Sequence, residues 1–541
     1  MPALRPRSIR TDLIVLAALC AVVYALGLTT HGLTNWQEAQ RALVAREMHE
    51  AGRWIVPISA GEPYLSKPPL VYWCQLAIRA VVGGRVTEFE LRLTAAIAGL
   101  LGVIATYLVT RRLLGPPDED ETTRAWAGHA AWWASLMLAT GLLYVRSARI
   151  GELDILLVAP TVIAIGAIHA AWRSHAVANR LHWRANLVMI AMGAVCALAK
   201  GPPGILTYVL AGYGGVVLAE LRVNRARLAD EKRPWPAAIF KAFSRTHPLL
   251  AVIVPIFALW LWSRAVAVQI GSDAVRAAME REAGENLLLL VLGAPINNLS
   301  AAAYAVGVGS IAAMAAVVWL IKDRPRLPVG WLFVAAWIVL PLIAFSVLGK
   351  GVARYLTPVW PAIAMLGGMW VASVVRDRAW GRWVARVGYA AVIVLAVGQA
   401  AWYGYVREML YADRSARAFL NELLRPELGV NPDRLMTLDT WTPAMDFYAG
   451  TTVDPVADLG PEIEHPSRTP ARLERVAEYL RQSGETVTML VRETPHPATE
   501  QVSAIDRLHA QGLVTATIPV EAEFVIDNRR TRMIAVRVWA R

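Results

Sequence analysis

Long apolar runs recur along the first three-quarters of the chain, separated by short polar interruptions. They lie near 13–33, 91–110, 125–145, 154–172, 185–200, 203–219, 248–263, 299–321, 330–349, 356–375 and 384–405. Each approaches the roughly 20 apolar residues that a helix needs to cross a bilayer. The stretch 185–219 admits more than one division. The pattern predicts a polytopic all-α membrane protein with about eleven transmembrane helices.

The polar interruptions test that reading. With the N-terminus cytoplasmic, one set of loops carries Arg111 and Arg112, then Arg173, Arg180 and Arg184, then seven basic residues between Arg222 and Arg245, then Lys322, Arg324 and Arg326, and finally Arg376, Arg378, Arg382 and Arg386. The opposite loops are longer in total and poorer in Lys and Arg. This is the asymmetry that orients membrane proteins, with positive loops inside. An odd span count then puts the C-terminus outside. Arg5, Arg7 and Arg10 before the first apolar run imitate a signal peptide, but further spans follow and no clear small-residue cleavage site appears. The first run is read as a retained helix.

Two external loops are large, at about 34–90 and 264–298. In the first, Ala42, Ala45, Met48 and His49 recur at helical spacing between Trp36 and Ala51. The second includes the charged stretch Asp273–Glu285, and both loops suit elements lying along the membrane face. From about 412 the pattern changes: helical stretches at Ser415–Leu424, Pro470–Gln482 and Thr499–Gln511 alternate with short apolar strands at Leu435–Leu438, Thr486–Val491, Val514–Ile518 and Met533–Val538. That order predicts a soluble α/β domain. The expected division is 1–405 as the transmembrane domain and 406–541 as a periplasmic α/β domain.

Composition supports the membrane assignment. Charged residues make up 18% of the chain against about 25% in soluble domains, and there are 21 Trp residues, which favour membrane interfaces. The net charge of +12 is explained by the positive loops, and no basic helix or aromatic motif accompanies it to suggest nucleic acid. Cys20, Cys74 and Cys196 show no metal or disulfide spacing. No internal repeat supports an inverted-repeat transporter.

Charges at span ends are costly and therefore candidates for function. On the external side the first loop offers Gln37, Glu38, Tyr64 and Lys67. The next offers Arg146, Arg149, Glu152 and Asp154, and later come Lys200 before Gly201-Pro202-Pro203-Gly204, then Lys350, Arg354 and Tyr355. The cations suit a phosphate group; the acids suit proton transfer or metal binding. Each has an ordinary reading: Arg146, Arg149, Lys350 and Arg354 snorkel, Lys200 sits at a turn, Asp154 caps a helix, and Glu38 is a solvated first-turn acid. Their shared side is what argues for a site.

Several motifs resemble one family. Gln37-Glu38-Ala39-Gln40-Arg41-Ala42, Ala45-Arg46-Glu47-Met48 and Gly52-Arg53-Trp54-Ile55-Val56-Pro57 look like the first external loop of the bacterial aminoarabinose transferase/protein mannosyltransferase-like glycosyltransferases. Tyr64-Leu65-Ser66-Lys67-Pro68-Pro69, Ala148-Arg149-Ile150-Gly151-Glu152-Leu153-Asp154, Ala199-Lys200-Gly201-Pro202 and Phe345-Ser346 through Arg354-Tyr355-Leu356 follow in family order. The resemblance covers roughly 1–375 and implies a C-type glycosyltransferase fold in the bacterial inner membrane. It implies a polyprenyl-phosphate-linked sugar donor, transfer at the periplasmic face with inversion, and a glycolipid, glycan or protein acceptor such as lipid A. Glu38 and Asp154 are then the catalytic candidates, Asp154 matching the family's acid in the second loop. Lys67, Arg149, Lys200, Lys350, Arg354 and Tyr355 are candidates for the donor phosphate, with Gln37 and Tyr64 as further first-loop positions.

Two departures matter. Where the family usually has an Asp-Glu pair, this chain has Gln37-Glu38, and Gln cannot usefully accept a proton; Gln40 also replaces a frequent Arg. Ser66 stands where a Glu often precedes Lys-Pro, which removes a potential metal ligand and weighs against a divalent cation. No other cofactor and no metal site is expected. A non-catalytic lipid-phosphate-binding relative and a lipid or sugar transporter remain the rival readings. The transporter is disfavoured because the charges sit at span ends rather than mid-span.

Overall fold

A computed structural model describes residues 6–33, 35–223, 235–276, 307–323, 326–348, 353–411, 415–438, 442–451, 454–457, 469–493, 503–526 and 531–541. Lys350 and most of the second external loop lie outside these residues. The chain divides into two compact units: Met1–Leu26, Leu65–Gln75 and Arg92–Ala401 form one; Gly27–Tyr64, Leu76–Leu91 and Trp402–Arg541 form the other.

The first unit is helical. Among the described residues seven helices are long and apolar enough to cross a membrane, including Glu88–Leu114, Leu153–Ala178, Trp183–Lys200, Pro202–Val223 and Arg354–Asp377. Two further apolar helices, Leu70–Val82 and Trp331–Val347, are shorter. Helices meet through small residues, as expected where lipid supplies no hydrophobic drive for association. A Cβ at Gly368 would lie 2.3 Å from the Ala130 carbonyl oxygen, so the helices Glu121–Ala139 and Trp360–Asp377 touch backbone to backbone.

The structure corrects some boundaries. The run 125–145 is not one helix: it ends at Ala139, Thr140 caps it, and a separate helix, Leu142–Arg149, starts after Gly141. Gly141 adopts an extended conformation (φ −63°, ψ 130°), which breaks the helical ladder although the apolar run continues. The loop expected at 34–90 contains the helix Leu70–Val82 and the start of Glu88–Leu114. Helix Pro248–Ile270 runs past the expected end at 263 into that second loop.

The second unit joins the first-loop segment to the C-terminal region. Helix Trp36–Glu50 is capped by Asn35, whose side-chain oxygen accepts from the Gln37 backbone N–H at 2.8 Å. Ile58–Ser59 (β1) and Glu62–Pro63 (β2) form a hairpin. Its two turn residues, Ala60 and Gly61, have φ of 52° and 78°, the conformation favoured in two-residue hairpins. The Glu47 carboxylate accepts from both their backbone N–H groups at 2.9 and 3.0 Å, which pins the hairpin to the helix.

The remaining strands are Leu435–Leu438 (β3), Asp454–Ala457 (β4), Val487–Arg492 (β5), Leu513–Ile518 (β6), Phe524–Ile526 (β7) and Thr531–Ala540 (β8). They form one sheet in the order β4-β3-β5-β8-β6, with β7 also paired to β8; β3 runs parallel to β4 and β5, and β8 antiparallel to β5, β6 and β7. Alternation along β5 splits its side chains between two cores. Leu490 packs with Phe419, Leu420, Met445 and Phe447, and this core also holds Ala39, Ala42 and Leu43 of the first-loop helix. Met489 and Val491 pack on the opposite face with Leu473, Ala477, Leu480 and Leu508. Arg46 adds a polar tie: its buried guanidinium donates to the carbonyls of Asp446 and Phe447 at 2.9 and 2.5 Å. Burial lowers its pKa from the usual arginine value, with Glu50 and Glu47 acting the other way.

Candidate functional site

The first unit brings Asp154, Lys200 and Tyr355 together. Gly151 takes φ 64° and ends the preceding helix; a 3₁₀ turn over Leu153–Leu157 then leads into helix Val158–Ala178, which places Asp154 in the first turn. The neighbouring helix Trp183–Lys200 runs the other way and stops at Lys200, because Gly201 adopts φ 72° and Pro202 begins the next helix. A helix start and a helix end therefore meet. Lys200 Nζ donates to Asp154 Oδ1, with side chains only 9% and 3% exposed.

A second turn supplies the aromatic. The 3₁₀ segment Ala353–Val359 precedes helix Trp360–Asp377 and carries Arg354 and Tyr355. Lys200 Nζ lies 4.0 Å from the centre of the Tyr355 ring, and the Arg354 guanidinium carbon lies 5.8 Å from it. The ring's negative face suits both cations. Phe345 stacks on Tyr355 at 6.1 Å between ring centres and fixes its plane. Arg354 is half-buried and has no carboxylate partner among the described residues. Pro68, next to Lys67, comes up to the turn that follows Lys200: a Cβ on Gly201 would lie 3.9 Å from Pro68 Cγ. The Lys67 ammonium itself donates to the Ser66 carbonyl at 2.8 Å.

Other candidates are placed differently. Arg149 does not snorkel: it is buried and donates to the carbonyls of Val23 (2.7 Å) and Leu26, so at least two of its nitrogens hold the end of the first helical segment. Asp154 is not a side-chain cap; its carboxylate takes Lys200 instead. Arg146 is half-exposed and 3.5 Å from Glu152, which also accepts from the Ser147 hydroxyl at 3.1 Å.

In the second unit Glu38 is buried, 1% exposed, rather than solvated. Gln37 is half-buried and its side-chain oxygen accepts from Arg41 at 3.3 Å, while Gln40 donates to the Ser59 hydroxyl at 2.7 Å. Tyr64 is half-buried and its backbone N–H donates to the Pro57 carbonyl at 2.9 Å, closing the hairpin. No cluster of three or more His, Cys, Asp or Glu that would hold a metal occurs among the described residues.

The family model of dolichyl-phosphate-mannose-protein mannosyltransferases matches residues 13–269. An undecaprenyl phosphate-alpha-4-amino-4-deoxy-L-arabinose arabinosyl transferase of Pseudomonas fluorescens is 25% identical over 66% of this chain and 56% of its own length. A second, from Pseudomonas savastanoi, is 33% identical over 20% of each chain. The chain thus spans little more than half of the curated relatives it matches. The crystal structure of ArnT from Cupriavidus metallidurans bound to undecaprenyl phosphate superimposes with a TM-score of 0.68 at 17% identity, over 97% of both chains. An oligosaccharyltransferase of Archaeoglobus fulgidus gives 0.53 at 13% identity, over 90% of this chain and 69% of that one.

Over residues 13–269 the chain is similar to that mannosyltransferase family, and over nearly its whole length it shares the fold of the ArnT structure.

The sequence signals Glu38, Asp154, Lys200 and Arg354 by type and position. It does not signal that Tyr355 bridges Lys200 and Arg354, or that Arg46 ties the first-loop helix to the helix Pro443–Ala449. An arginine inside a helix beside Glu47 and Glu50 reads as a solvated charge; only the buried carbonyls opposite reveal its use.

Proposed function

We propose that the chain is an inverting glycosyltransferase. It crosses the bacterial inner membrane about eleven times and, at the periplasmic face, moves a sugar from a polyprenyl-phosphate donor to lipid A or another cell-envelope glycan. The observation that carries this reading is the buried Asp154–Lys200 pair set against Tyr355 and Arg354 at one end of the helices. It combines an acid that takes a proton with cations that take a phosphate. The ArnT structure with the same fold is bound to undecaprenyl phosphate, a lipid of that class.

The acceptor oxygen attacks the anomeric carbon opposite the phosphate. The bond from that carbon to the phosphate oxygen breaks, and the phosphate leaves with the electron pair. The acceptor proton passes to a carboxylate, Asp154 or Glu38. Protonation of Asp154 would discharge its pairing with Lys200, and the ammonium then faces the developing phosphate charge with Arg354 and Lys67. One Asp154 oxygen already holds an ammonium, which supports a step without a divalent cation.

A test uses the purified chain in nanodiscs with a polyprenyl-phosphate sugar and envelope extract, reading released polyprenyl phosphate. Release that depends on Asp154 and is unchanged by EDTA is expected. One observation favours a second reading, a non-catalytic lipid-phosphate binder: Gln37 replaces the family acid and is engaged by Arg41. Donor binding with no release by the natural sequence would support that reading.

A further inference from the structure

The helix ends opposite Asp154 border a cleft of about 570 Å³. Its floor is apolar: Val109, Ile163, Ala167, Ala170, Val177 and Val188 line it. Along helix Val158–Ala178 the lining positions 163, 166, 167, 170, 173, 174 and 177 recur every three or four residues, so one face of that helix makes the wall. Gly166 allows the wall to sit close to its neighbour, since a Cβ there would lie 2.9 Å from Val109.

The mouth is cationic. Arg112, Arg173 and Arg184 line it against one acid, Asp118. Asp118 is engaged by Arg173, which donates through Nε at 3.0 Å and Nη2 at 2.5 Å, and Glu119 lies 3.7 Å from the same guanidinium. Arg112 and Arg184 are exposed and have no carboxylate partner among the described residues; the Arg184 guanidinium sits 5.4 Å from the centre of the exposed Trp183 ring. Deeper in the cleft is His169, only 4% exposed, whose Nε2 has no hydrogen-bond partner among the described residues. Trp172 and Phe333 pack against its ring at 5.9 and 5.0 Å between centres. His169 precedes Arg173 by one turn, about 6 Å along the axis.

We propose that this cleft binds an anionic glycerophospholipid of the leaflet opposite the Asp154–Lys200 pair. An acyl chain fills the apolar floor, the phosphodiester meets Arg112 and Arg184, and His169 Nε2 takes a glycerol hydroxyl or ester carbonyl one turn deeper. Cationic pockets between helices at a membrane face recognise anionic headgroups in this way, with the apolar wall excluding soluble phosphates. His169 distinguishes the cleft from a rim of interfacial arginines: a buried histidine whose Nε2 has no partner among the described residues lines it one turn from Arg173.

The test is photo-cross-linking of the full-length chain in nanodiscs containing photoactivatable phosphatidylglycerol or photoactivatable phosphatidylcholine. Phosphatidylglycerol should label peptides within 163–188 on the order of tenfold more than phosphatidylcholine. Arg112→Gln with Arg184→Gln should remove that preference, Arg112→Lys with Arg184→Lys should keep most of it, and Ala170→Phe should block labelling by filling the floor. Equal labelling by both lipids, or full preference in the double glutamine variant, would overturn the proposal. So would complete competition by glycerol phosphate, which marks a free-phosphate site, or by polyprenyl phosphate at equal concentration, which marks a site for the donor lipid.

Discussion

The Asp154–Lys200 pair sets the behaviour of the site at the level of single residues. Both side chains are nearly sealed from solvent, so removing one partner leaves the other charge buried and costs about 3–5 kcal/mol. Lys200→Ala should therefore lower both transfer and thermal stability, which makes it a poor probe of chemistry alone. Asp154→Asn keeps an acceptor for the ammonium but also leaves the Lys200 charge without its counter-charge, so its turnover is read on the folded fraction well below its lowered thermal transition. If Asp154 takes the acceptor proton, this variant should cut turnover by about 10²–10⁴-fold while donor binding persists. Unchanged turnover with Asp154→Asn combined with Glu38→Gln would show that neither carboxylate moves the proton. Gln37→Asp is the converse. It places an acid within reach of Arg41, and should raise turnover if the natural side chain limits it; kinetics on the purified variant decide the matter. At Arg354 the planar fork matters, so Arg354→Lys should weaken polyprenyl-phosphate binding several-fold in a direct titration although the charge is kept.

At the scale of elements, two contacts carry clear expectations. Glu90 is fully buried at the start of helix Glu88–Leu114, accepting from Arg79 at 2.7 Å and from the Thr87 backbone and hydroxyl at 2.7 and 2.9 Å. It fastens the end of helix Leu70–Val82 to the next one. Glu90→Gln should destabilise the protein by about 3–5 kcal/mol, read as an earlier thermal transition, and leave donor affinity in the folded fraction intact. Gly368→Ala would press a methyl against the Ala130 carbonyl and should cost about 1–3 kcal/mol by the same assay. Elements of this kind were unevenly legible in the sequence. Long apolar runs mark helices well, since length and composition alone separate them from soluble elements. The break at Thr140-Gly141 is invisible to such a measure, because the residues on both sides are apolar and only the backbone of Gly141 turns. Helix Leu70–Val82 hides for the opposite reason: at thirteen residues it falls short of a span and follows two prolines, so it reads as loop. In the C-terminal region Leu435–Leu438 is bounded as its β-branched and apolar pattern suggests, whereas Pro443–Ala449 escapes because a seven-residue helix has too few turns to show a period. The sequence marks Asp154, Lys200 and Arg354 by type, but no spacing in the chain says that residue 154 faces residue 200 rather than capping its own helix.

At the scale of the whole molecule the account rests on orientation and on chemistry. The proposed orientation, argued from the alternation of basic loops, has the N-terminus inside and the C-terminal region outside. Reporter fusions after Arg382 and at Arg541 should therefore report opposite sides of the membrane; agreement between them would require an even number of spans between those two points. The central claim is transfer of a sugar to the cell envelope. Mass spectrometry of envelope lipids and glycans from a deletion strain tests it most directly. The account predicts that one glycosylated species disappears while its unglycosylated precursor accumulates, and that the natural sequence restores the species. A deletion profile identical to the parent's, with no glycosylated species lost, would contradict it.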